Sequence, residues 1–292
     1  MFPCIQIEAF FSDAGSDVTP GTVSIDWLKQ RIDSDESENI RVLDVTWYSA
    51  KDAYPEYLKA HIPGAAWFDI MRDVTHTQLR LRNLPEPEVF ERQVRGVGVD
   101  GDTHVIVYDS QGQGGCFVGG RAWWMFKFFG HEKVSVLNGG LQKWTAEGVR
   151  TTQTIPTYQE GNFAVGYNPR INKLHADMMA NFEKKCFQVC DSRAVEKFSA
   201  GHYPEAINIP FAAMLLDKDT NSMKTREQLL KVFVEAGVDI TRPLVTMCNS
   251  GMSSCSLLLA AYKCGNTDAS VYHGGYNEWK TLATSPQMIE HT

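Results

Sequence analysis

The feature that most constrains the fold is an internal repeat. Five signals occur twice in the same order, and their spacing differs only by small insertions of the kind that surface loops tolerate. The repeat unit is roughly 140 residues, far longer than a solenoid unit and close to the size of one domain. The sequence therefore predicts two domains of the same fold. The matching pairs of segments are 42–45 and 189–192, 61–64 and 202–204, 96–100 and 236–239, 105–108 and 244–247, and 134–144 and 269–279.

The length of the chain agrees with this division. The 292 residues exceed the usual size of one domain, and a hydrophobic content of 43% is enough for buried cores. We expect the first domain at 20–149 and the second at 170–285. Residues 150–169 between them are rich in Thr, Gly and Pro, which favour irregular structure, and they are expected to form a linker.

Within each copy, short β-branched runs alternate with longer helical stretches. This alternation predicts an α/β fold in which each domain is a mainly parallel sheet flanked by helices. Residues 121–129 are apolar on nearly every face, so they are expected to form a buried helix after a strand at 104–108. Residues 253–262 are the counterpart in the second copy. A strand, a tight loop and a helix in succession present the loop at the carboxyl edge of the sheet.

Composition excludes several classes of protein. The net charge of −7 comes from 35 acidic and 28 basic residues without a basic block, so nucleic acid is not an expected partner. Seven cysteines without C-x-x-C pairs or N-x-[ST] acceptors indicate reduced thiols inside a cell. The start of the chain is acidic rather than Arg-rich, and no apolar run is long enough to cross a bilayer. We therefore expect a cytosolic protein that does not bind membranes, with a mitochondrial location left open.

The loop 248–254 is the best candidate for a reactive site. Cys248 is the first residue after the strand predicted at 244–247, and a helix is expected to begin near Ser253. Backbone N–H groups of such a loop can point at one centre, and the helix N-terminus adds partial positive charge. Both features would stabilise a thiolate, and equally the terminal anion of a persulfide. The alternative, a buried cysteine that acts as a small apolar side chain, stays open.

Other signals are expected to have packing or structural roles. At the strand end that matches Cys248, the first copy has Asp109, so it has the same type of loop without a nucleophile. The glycine pattern at 96–101 precedes a strand instead of following one, so it does not predict dinucleotide binding. The cysteines for which packing is expected are Cys4, Cys116, Cys186, Cys190, Cys255 and Cys264.

The repeated segments and the cysteine loop 248–254 resemble the tandem rhodanese family of thiosulfate and 3-mercaptopyruvate sulfurtransferases. The resemblance implies an inactive first domain with Asp109 at the cysteine position, and a second domain in which Cys248 takes sulfur as a persulfide. Its partners would be a small-molecule sulfur donor and a cyanide or thiol acceptor, with thioredoxin-like reductants as further acceptors; no cofactor or metal is implied. The resemblance covers about 23–282 and rests on 61–66, 121–140, the cysteine loop and 273–275.

The resemblance also assigns roles around Cys248. Arg193 matches the arginine that grips the donor's carboxylate or sulfonate, a task that suits guanidinium geometry. Its structural alternative is local pairing with Asp191 or Glu196. Ser250 is expected to be catalytic, and the remaining substrate-binding positions of the loop are Asn249, Gly251, Met252 and Ser253.

Neutral side chains after the cysteine favour one donor. Thiosulfate-preferring members of the family have basic residues there, whereas this chain has Asn249 and Ser250. We therefore predict a 3-mercaptopyruvate sulfurtransferase. The alternatives are a thiosulfate:cyanide sulfurtransferase and a non-catalytic sulfur-binding or regulatory protein. A cysteine phosphatase is disfavoured because its C-x5-R pattern would need arginine where this chain has Ser254.

Three positions depart from the family pattern. A second anion-binding arginine is replaced by Ser199. The Asp and His that complete a serine triad in mercaptopyruvate-type members are replaced by Met71 and Arg82. The nearby residues Asp73 and His76 are possible substitutes for them.

Overall fold

Two parallel sheets form the framework of the computed structural model, which describes residues 18–34 and 39–292. Cys4 lies outside the described residues. The strands of the first sheet are β1 (Thr22–Val23), β2 (Ile40–Asp44), β3 (Ala66–Trp67), β4 (His104–Tyr108) and β5 (Val134–Leu137). Their order is β1-β5-β4-β2-β3, and every pairing is parallel.

The second sheet repeats this arrangement. Its described strands have the order β6-β12-β11-β7-β8, again with parallel pairings, so the predicted α/β class and the two copies of one fold are confirmed. A short antiparallel pair, β9 and β10, lies between the strands of this sheet in the sequence. The strands are β6 (Asn172–Lys173), β7 (Gln188–Asp191), β8 (Ile207–Asn208), β9 (Leu216–Asp217), β10 (Ser222–Met223), β11 (Leu244–Met247) and β12 (Ser270–Tyr272).

Helices connect the strands of both sheets. The predicted buried helices are present as α4 and α9, and α4 begins at Phe117 because the Asp109 carboxylate accepts the N–H groups of Val118 and Gly119. Within the described ranges, none of the helices has the length and apolar content that a bilayer crossing needs. They are α1 (Ile25–Ile32), α2 (Tyr54–Lys59), α3 (Pro87–Gly96), α4 (Phe117–Phe128), α5 (Gly140–Ala146), α6 (His175–Lys184), α7 (Val195–Ser199), α8 (Arg226–Glu235), α9 (Ser253–Lys263) and α10 (Gly275–Leu282).

Helices α4 and α9 pack against each other and join the two domains. Gly120 allows a close approach, since a Cβ at that position would lie 3.1 Å from the Cα of Ser256. The Ser256 hydroxyl donates to the Cys116 carbonyl at 2.7 Å, and the rings of Trp123 and Tyr262 are 5.1 Å apart. One apolar core contains residues of both domains. The loops that precede these helices are therefore held in a fixed relation.

Equivalent histidines make the same contacts in the two copies. His61 and His202 are buried, and each ring stacks on the aromatic ring four residues earlier. Their backbones form isolated bridges with Thr152 and Glu290, residues just beyond the expected ends of the two domains. The boundaries 20–149 and 170–285 stay a prediction, because each copy makes contacts slightly past its expected end.

Residues 153–168 contain no helix or strand, yet they are held against the first domain. Arg95 Nε donates to the Phe163 carbonyl at 2.6 Å, and the Tyr158 hydroxyl donates to the Gly64 carbonyl. The side chain of Phe163 is buried. Tertiary contacts rather than a regular backbone pattern therefore position this part of the linker.

Candidate active site

The sulfur of Cys248 lies in a cradle of backbone N–H groups. Cys248 follows β11 and is only 4% exposed. Its Sγ accepts hydrogen bonds from the N–H groups of Gly251, at 3.1 Å, and Met252, at 3.3 Å. Gly251 has φ +80°, and a Cβ there would lie 2.7 Å from the His273 ring. The loop thus curls around the sulfur as the stabilisation of an anion requires.

A second glycine turn, at 274–275, packs against the backbone of the cysteine loop. The N–H of Tyr276 donates to the Cys248 carbonyl at 2.7 Å. Gly275 has φ +63°, and a Cβ there would lie 2.6 Å from that carbonyl oxygen. This close approach to the cysteine loop explains the second glycine of the Gly-Gly signal at 274–275.

The first domain supplies a cation at Ser250. Arg82 Nη1 donates to the Ser250 hydroxyl oxygen, and the guanidinium lies 5.5 Å from the centre of the Trp47 ring. Among the described residues, Arg82 Nε is buried without a hydrogen-bond partner. Arginine remains protonated in proteins and cannot act as a base. The structure therefore places a positive charge at the Ser250 hydroxyl.

The suggested substitutes for the serine triad are not joined to Ser250. Asp73 forms an ion pair with Arg92 at 3.9 Å, and both side chains are exposed. His76 is also exposed. In the described part of the chain, no hydrogen bond links either residue to Ser250, so the structure shows Ser250 with Arg82 and without an acid–base relay.

Arg121 is a site residue that the sequence reasoning missed. It lies in α4 of the first domain and is fully buried, yet its Nη1 donates to the Gly251 carbonyl of the cysteine loop at 2.8 Å. Its Nη2 donates to the carbonyls of Arg82, at 2.8 Å, and Asn83, at 3.0 Å. Burial lowers the pKa of Arg121, while the neighbouring thiols of Cys248 and Cys255 act in the opposite direction. A charged side chain in a largely apolar helix was the available signal, and Lys127 shares it.

His273 is neutral in this environment. Burial, together with the charge of Arg121, lowers its pKa to about 3. Its Nε2 lies 2.8 Å from the Arg82 carbonyl, which fixes a proton on that nitrogen. His273 therefore links the loop around Arg82 to the glycine turn without adding a charge.

Arg193 is occupied by local partners. Its Nε and Nη2 contact the Asp191 carboxylate at 2.8 and 2.6 Å, and Nη2 also donates to the Gly201 carbonyl at 2.9 Å. Nη1 donates to the Lys197 carbonyl at 3.1 Å, and the guanidinium lies 4.0 Å from the Tyr276 ring centre. These contacts correspond to the structural alternative, pairing with Asp191. Donor binding by Arg193 stays a prediction.

The remaining predicted positions differ in their surroundings. Asn249 is exposed, and its carbonyl accepts the N–H of Asn277 at 3.1 Å. The Ser253 hydroxyl pairs with the Ser192 hydroxyl at 2.8 Å, which ties the start of α9 to the end of β7. Ser199 is the last residue of α7, and no described hydrogen bond joins it to the cysteine loop.

The matching loop of the first domain holds a carboxylate instead of a sulfur. Asp109 is buried and accepts the N–H groups of Gln111, at 3.1 Å, Val118, at 2.8 Å, and Gly119, at 3.0 Å. Burial raises the pKa of Asp109. The N–H groups that could stabilise an anion are thus engaged by a side chain of the protein itself.

The other described cysteines are unpaired thiols. Cys116, Cys190, Cys255 and Cys264 are buried, as packing roles predict, whereas Cys186 is exposed and does not pack in the core. Burial raises the pKa of Cys255 to about 12, and this thiol donates to the Gly251 carbonyl at 3.3 Å. Within 18–34 and 39–292, no three His, Cys, Asp or Glu side chains are grouped as metal ligands.

Comparisons with known proteins show what the chain is similar to over most of its length. The rhodanese-like domain family matches residues 24–147 and 174–282. The chain is 34% identical to 3-mercaptopyruvate sulfurtransferase of Rattus norvegicus, over 91% of this chain and 94% of the relative. It is 37% identical to thiosulfate sulfurtransferase of Gallus gallus, over 88% and 92%.

A solved structure is similar over the same length. SseA of Escherichia coli, described as a 3-mercaptopyruvate sulfotransferase, aligns with a TM-score of 0.78 at 33% identity, covering 88% of this chain and 99% of SseA. The chain therefore belongs to the rhodanese family and has two domains of that fold. Its activity is sulfur transfer.

Proposed function

We propose that Cys248 takes sulfur from 3-mercaptopyruvate as a persulfide and passes it to a thiol or to cyanide. The observation that carries this proposal is the pair of N–H groups, from Gly251 and Met252, that point at Cys248 Sγ. The thiolate attacks the donor's thiol sulfur, so an S–S bond forms and the C–S bond breaks. The electron pair moves to the donor carbon as an enolate, which takes up a proton to give pyruvate. A thiol or cyanide then attacks the outer sulfur and releases the Cys248 thiolate.

Arg82 supports mercaptopyruvate as the donor. It is held at Ser250, and its Nε is a buried donor without a partner in the described structure. Guanidinium groups bind carboxylates through charge-assisted hydrogen bonds. The donor's single carboxylate would bind the half-buried guanidinium of Arg82. The positive charge of Arg82 would also stabilise negative charge that develops on the donor's carbonyl oxygen.

Thiosulfate is the second candidate donor. The thiosulfate sulfurtransferase of Rattus norvegicus is 36% identical to this chain, and Arg82 adds a cation that the cysteine loop itself lacks. One cation nevertheless suits one carboxylate better than a dianion, because a dianion approaching a thiolate is repelled more strongly in a low-dielectric cleft. Mercaptopyruvate therefore remains the preferred donor.

The acceptor and the cellular setting are part of the same proposal. Since Cys248 is nearly buried, the acceptor has to be small or has to present a narrow thiol, as cyanide, low-molecular-weight thiols and thioredoxin-like reductants do. A cytosolic location, with a mitochondrial one open, is proposed from the absence of disulfide-type cysteine patterns in the sequence.

Intact mass and kinetics test this function together. After treatment with mercaptopyruvate, the mass should increase by about 32 Da, one sulfur atom, and Cys248→Ser should lose both this gain and turnover. Cys186→Ser, which removes an exposed thiol, is the matched control and should retain both. The value of kcat/KM should be higher for mercaptopyruvate than for thiosulfate. Sulfur mapped to another cysteine, or a preference for thiosulfate, would refute the corresponding part of the proposal.

A further inference from the structure

We propose that Arg121, supplied by the domain without a catalytic cysteine, is a positioning residue that strengthens the Cys248 cradle through the peptide unit between Gly251 and Met252. The inference rests on the proposed function, since it takes Cys248 as the nucleophile. It gives the first domain a part in the chemistry of the second, through the position of one peptide unit.

The geometry of one peptide unit carries the inference. Its oxygen, on Gly251, accepts Arg121 Nη1 at 2.8 Å, and its N–H, on Met252, donates to Cys248 Sγ at 3.3 Å. In a trans peptide the C=O and N–H bonds point in opposite directions. The guanidinium and the sulfur therefore lie at opposite ends of the same dipole.

A cation at the oxygen end polarises this peptide. Hydrogen bonds in series strengthen one another, so the Met252 N–H becomes a better donor to a thiolate or persulfide anion. The bond from Arg121 is charge-assisted, and both Arg121 and Gly251 are buried, where electrostatic effects are stronger than in water. The bond also fixes the plane of the peptide, which keeps the N–H directed at the sulfur.

A second donor acts on the same oxygen. The thiol of Cys255, the third residue of α9, donates to the Gly251 carbonyl at 3.3 Å. Because its pKa is raised to about 12 by burial, Cys255 keeps its proton and remains a donor. Arg121 from the first domain and Cys255 from the second therefore hold one peptide oxygen together.

Of the other charged and titratable groups near the loop, neutral His273 also contacts Arg121, with its Nε2 3.3 Å from Arg121 Nη2. Within the described residues, Arg121 is the cation that bonds a backbone carbonyl of the cysteine loop. Its own position is fixed by bonds to the carbonyls of Arg82 and Asn83. The remaining groups are Arg82 at the Ser250 side chain, the Arg80–Glu278 ion pair at 3.1 Å and the Arg193–Asp191 pair at 2.6 Å.

The test measures how the alkylation rate of Cys248 depends on pH in the full-length protein. A neutral reagent, iodoacetamide, is used, and modification is read from the Cys248 peptide by mass spectrometry. In Arg121→Gln the midpoint of this profile should rise by about 0.5–1 pH unit, because the anion loses a polarised donor. Arg121→Lys should restore part of the shift, and Cys255→Ala should give a smaller rise.

Lys127→Gln is the matched control. Lys127 is also a buried cation of α4, but it pairs with Glu132 at 2.7 Å. Its substitution should leave the Cys248 midpoint unchanged, and an equal shift would overturn the proposal in favour of a general loss of packing or charge. An unchanged midpoint in folded Arg121→Gln would overturn it as well.

Two further results keep the inference testable on its own. If Arg121→Gln fails to fold, Cys255→Ala decides, and an unchanged midpoint in that variant would overturn the proposal. The wild-type mass gain with mercaptopyruvate is measured separately. Absence of that gain would count against the proposed function, whereas a normal gain with unshifted variants would count against the role of Arg121 alone.

Discussion

At the scale of single residues, the arginines around Cys248 differ in how many of their guanidinium nitrogens have hydrogen-bond partners. All three guanidinium nitrogens of Arg193 have partners, so a donor would have to displace Asp191 or a carbonyl. Arg82 has a buried Nε without a described partner and already contacts Ser250. Direct binding of the donor's carboxylate is therefore better assigned to Arg82 than to Arg193.

Substitution of the two arginines separates these roles. Arg82→Ala should raise KM for mercaptopyruvate about ten- to a hundredfold, since hydrogen bonds to charged groups contribute roughly 1.5–3 kcal/mol. Arg193→Ala should mainly lower stability, by about 3 kcal/mol, because it leaves the buried Asp191 carboxylate unpaired. Steady-state kinetics and urea unfolding measure both effects. A raised KM with unchanged stability in Arg193→Ala would support donor binding by Arg193 instead.

The exposed Asn249 offers a direct test of charge in the loop. Asn249→Arg adds a cation beside Cys248 without entering the core, so the ratio of kcat/KM for thiosulfate to that for mercaptopyruvate should increase several-fold. Asn249→Gln, similar in polarity but neutral, is the control and should leave the ratio unchanged. An equal ratio in both variants would mean that residues outside the loop determine the choice of donor.

A site residue could be predicted when its contacts are close in sequence, and could not when its partners are far away along the chain. Cys248 was predictable because a strand, a tight loop and a helix are local features. Arg121 and Arg82 reach the same loop across 130 and 168 residues of sequence, and no local pattern encodes such contacts. Asp73 and His76, the possible substitutes in a relay, make no described hydrogen bond to Ser250, because nearness in sequence does not place a side chain there.

At the scale of elements, the contact between α4 and α9 determines whether the two domains meet correctly. Gly120 is predicted to be essential there, because a larger side chain would collide with the backbone of Ser256. Both helices were evident from their apolar sequences. Their mutual packing was not, because a helix that is apolar on every face shows no side that prefers a particular partner.

Gly120→Val should therefore lower both stability and activity. Overpacking of a tight interface costs about 1–3 kcal/mol, and displacement of α9 would move the N–H groups that bind Cys248. Urea unfolding and the rate of persulfide formation measure the two effects. Gly101→Val is the control, since nothing lies within 4 Å of a Cβ at Gly101. Equal losses in both variants would argue against a special role for the helix contact.

At the scale of the whole molecule, the repeat predicted two similar sheets, and both have the same strand order. It did not predict how the linker is held. The linker contacts at Phe163 and Tyr158 reach back 68 and 94 residues to the first domain, beyond the range of turn-forming patterns. The repeat also did not predict that the carboxylates at the strand ends are buried. These carboxylates belong to Asp44, Asp109 and Asp191.

These carboxylates make stability depend on pH in a defined direction. Burial raises the pKa of Asp44 to about 6, with the charge of Asp109 acting in the same direction, while hydrogen bonds from Thr46 oppose the shift. The folded protein thus binds this proton more tightly than the unfolded chain. The contribution of Asp44 to stability is therefore greatest below about pH 4 and falls by about 3 kcal/mol as the pH rises through 6.

Asp44→Asn separates the contribution of Asp44 from that of the histidines. Burial lowers the pKa of His104 to about 4, so the contribution of His104 to stability increases with pH, opposite to that of Asp44. In the structure the Thr46 N–H donates to Asp44 Oδ1 at 3.0 Å. The Asn variant keeps an oxygen that can accept this hydrogen bond but cannot ionise. Relative to wild type, its free energy of unfolding should increase between about pH 4 and 6.5 and then level off. Urea unfolding of both proteins over pH 4–8 measures this difference. A difference that is constant across the range would show that Asp44 does not titrate between the folded and unfolded states.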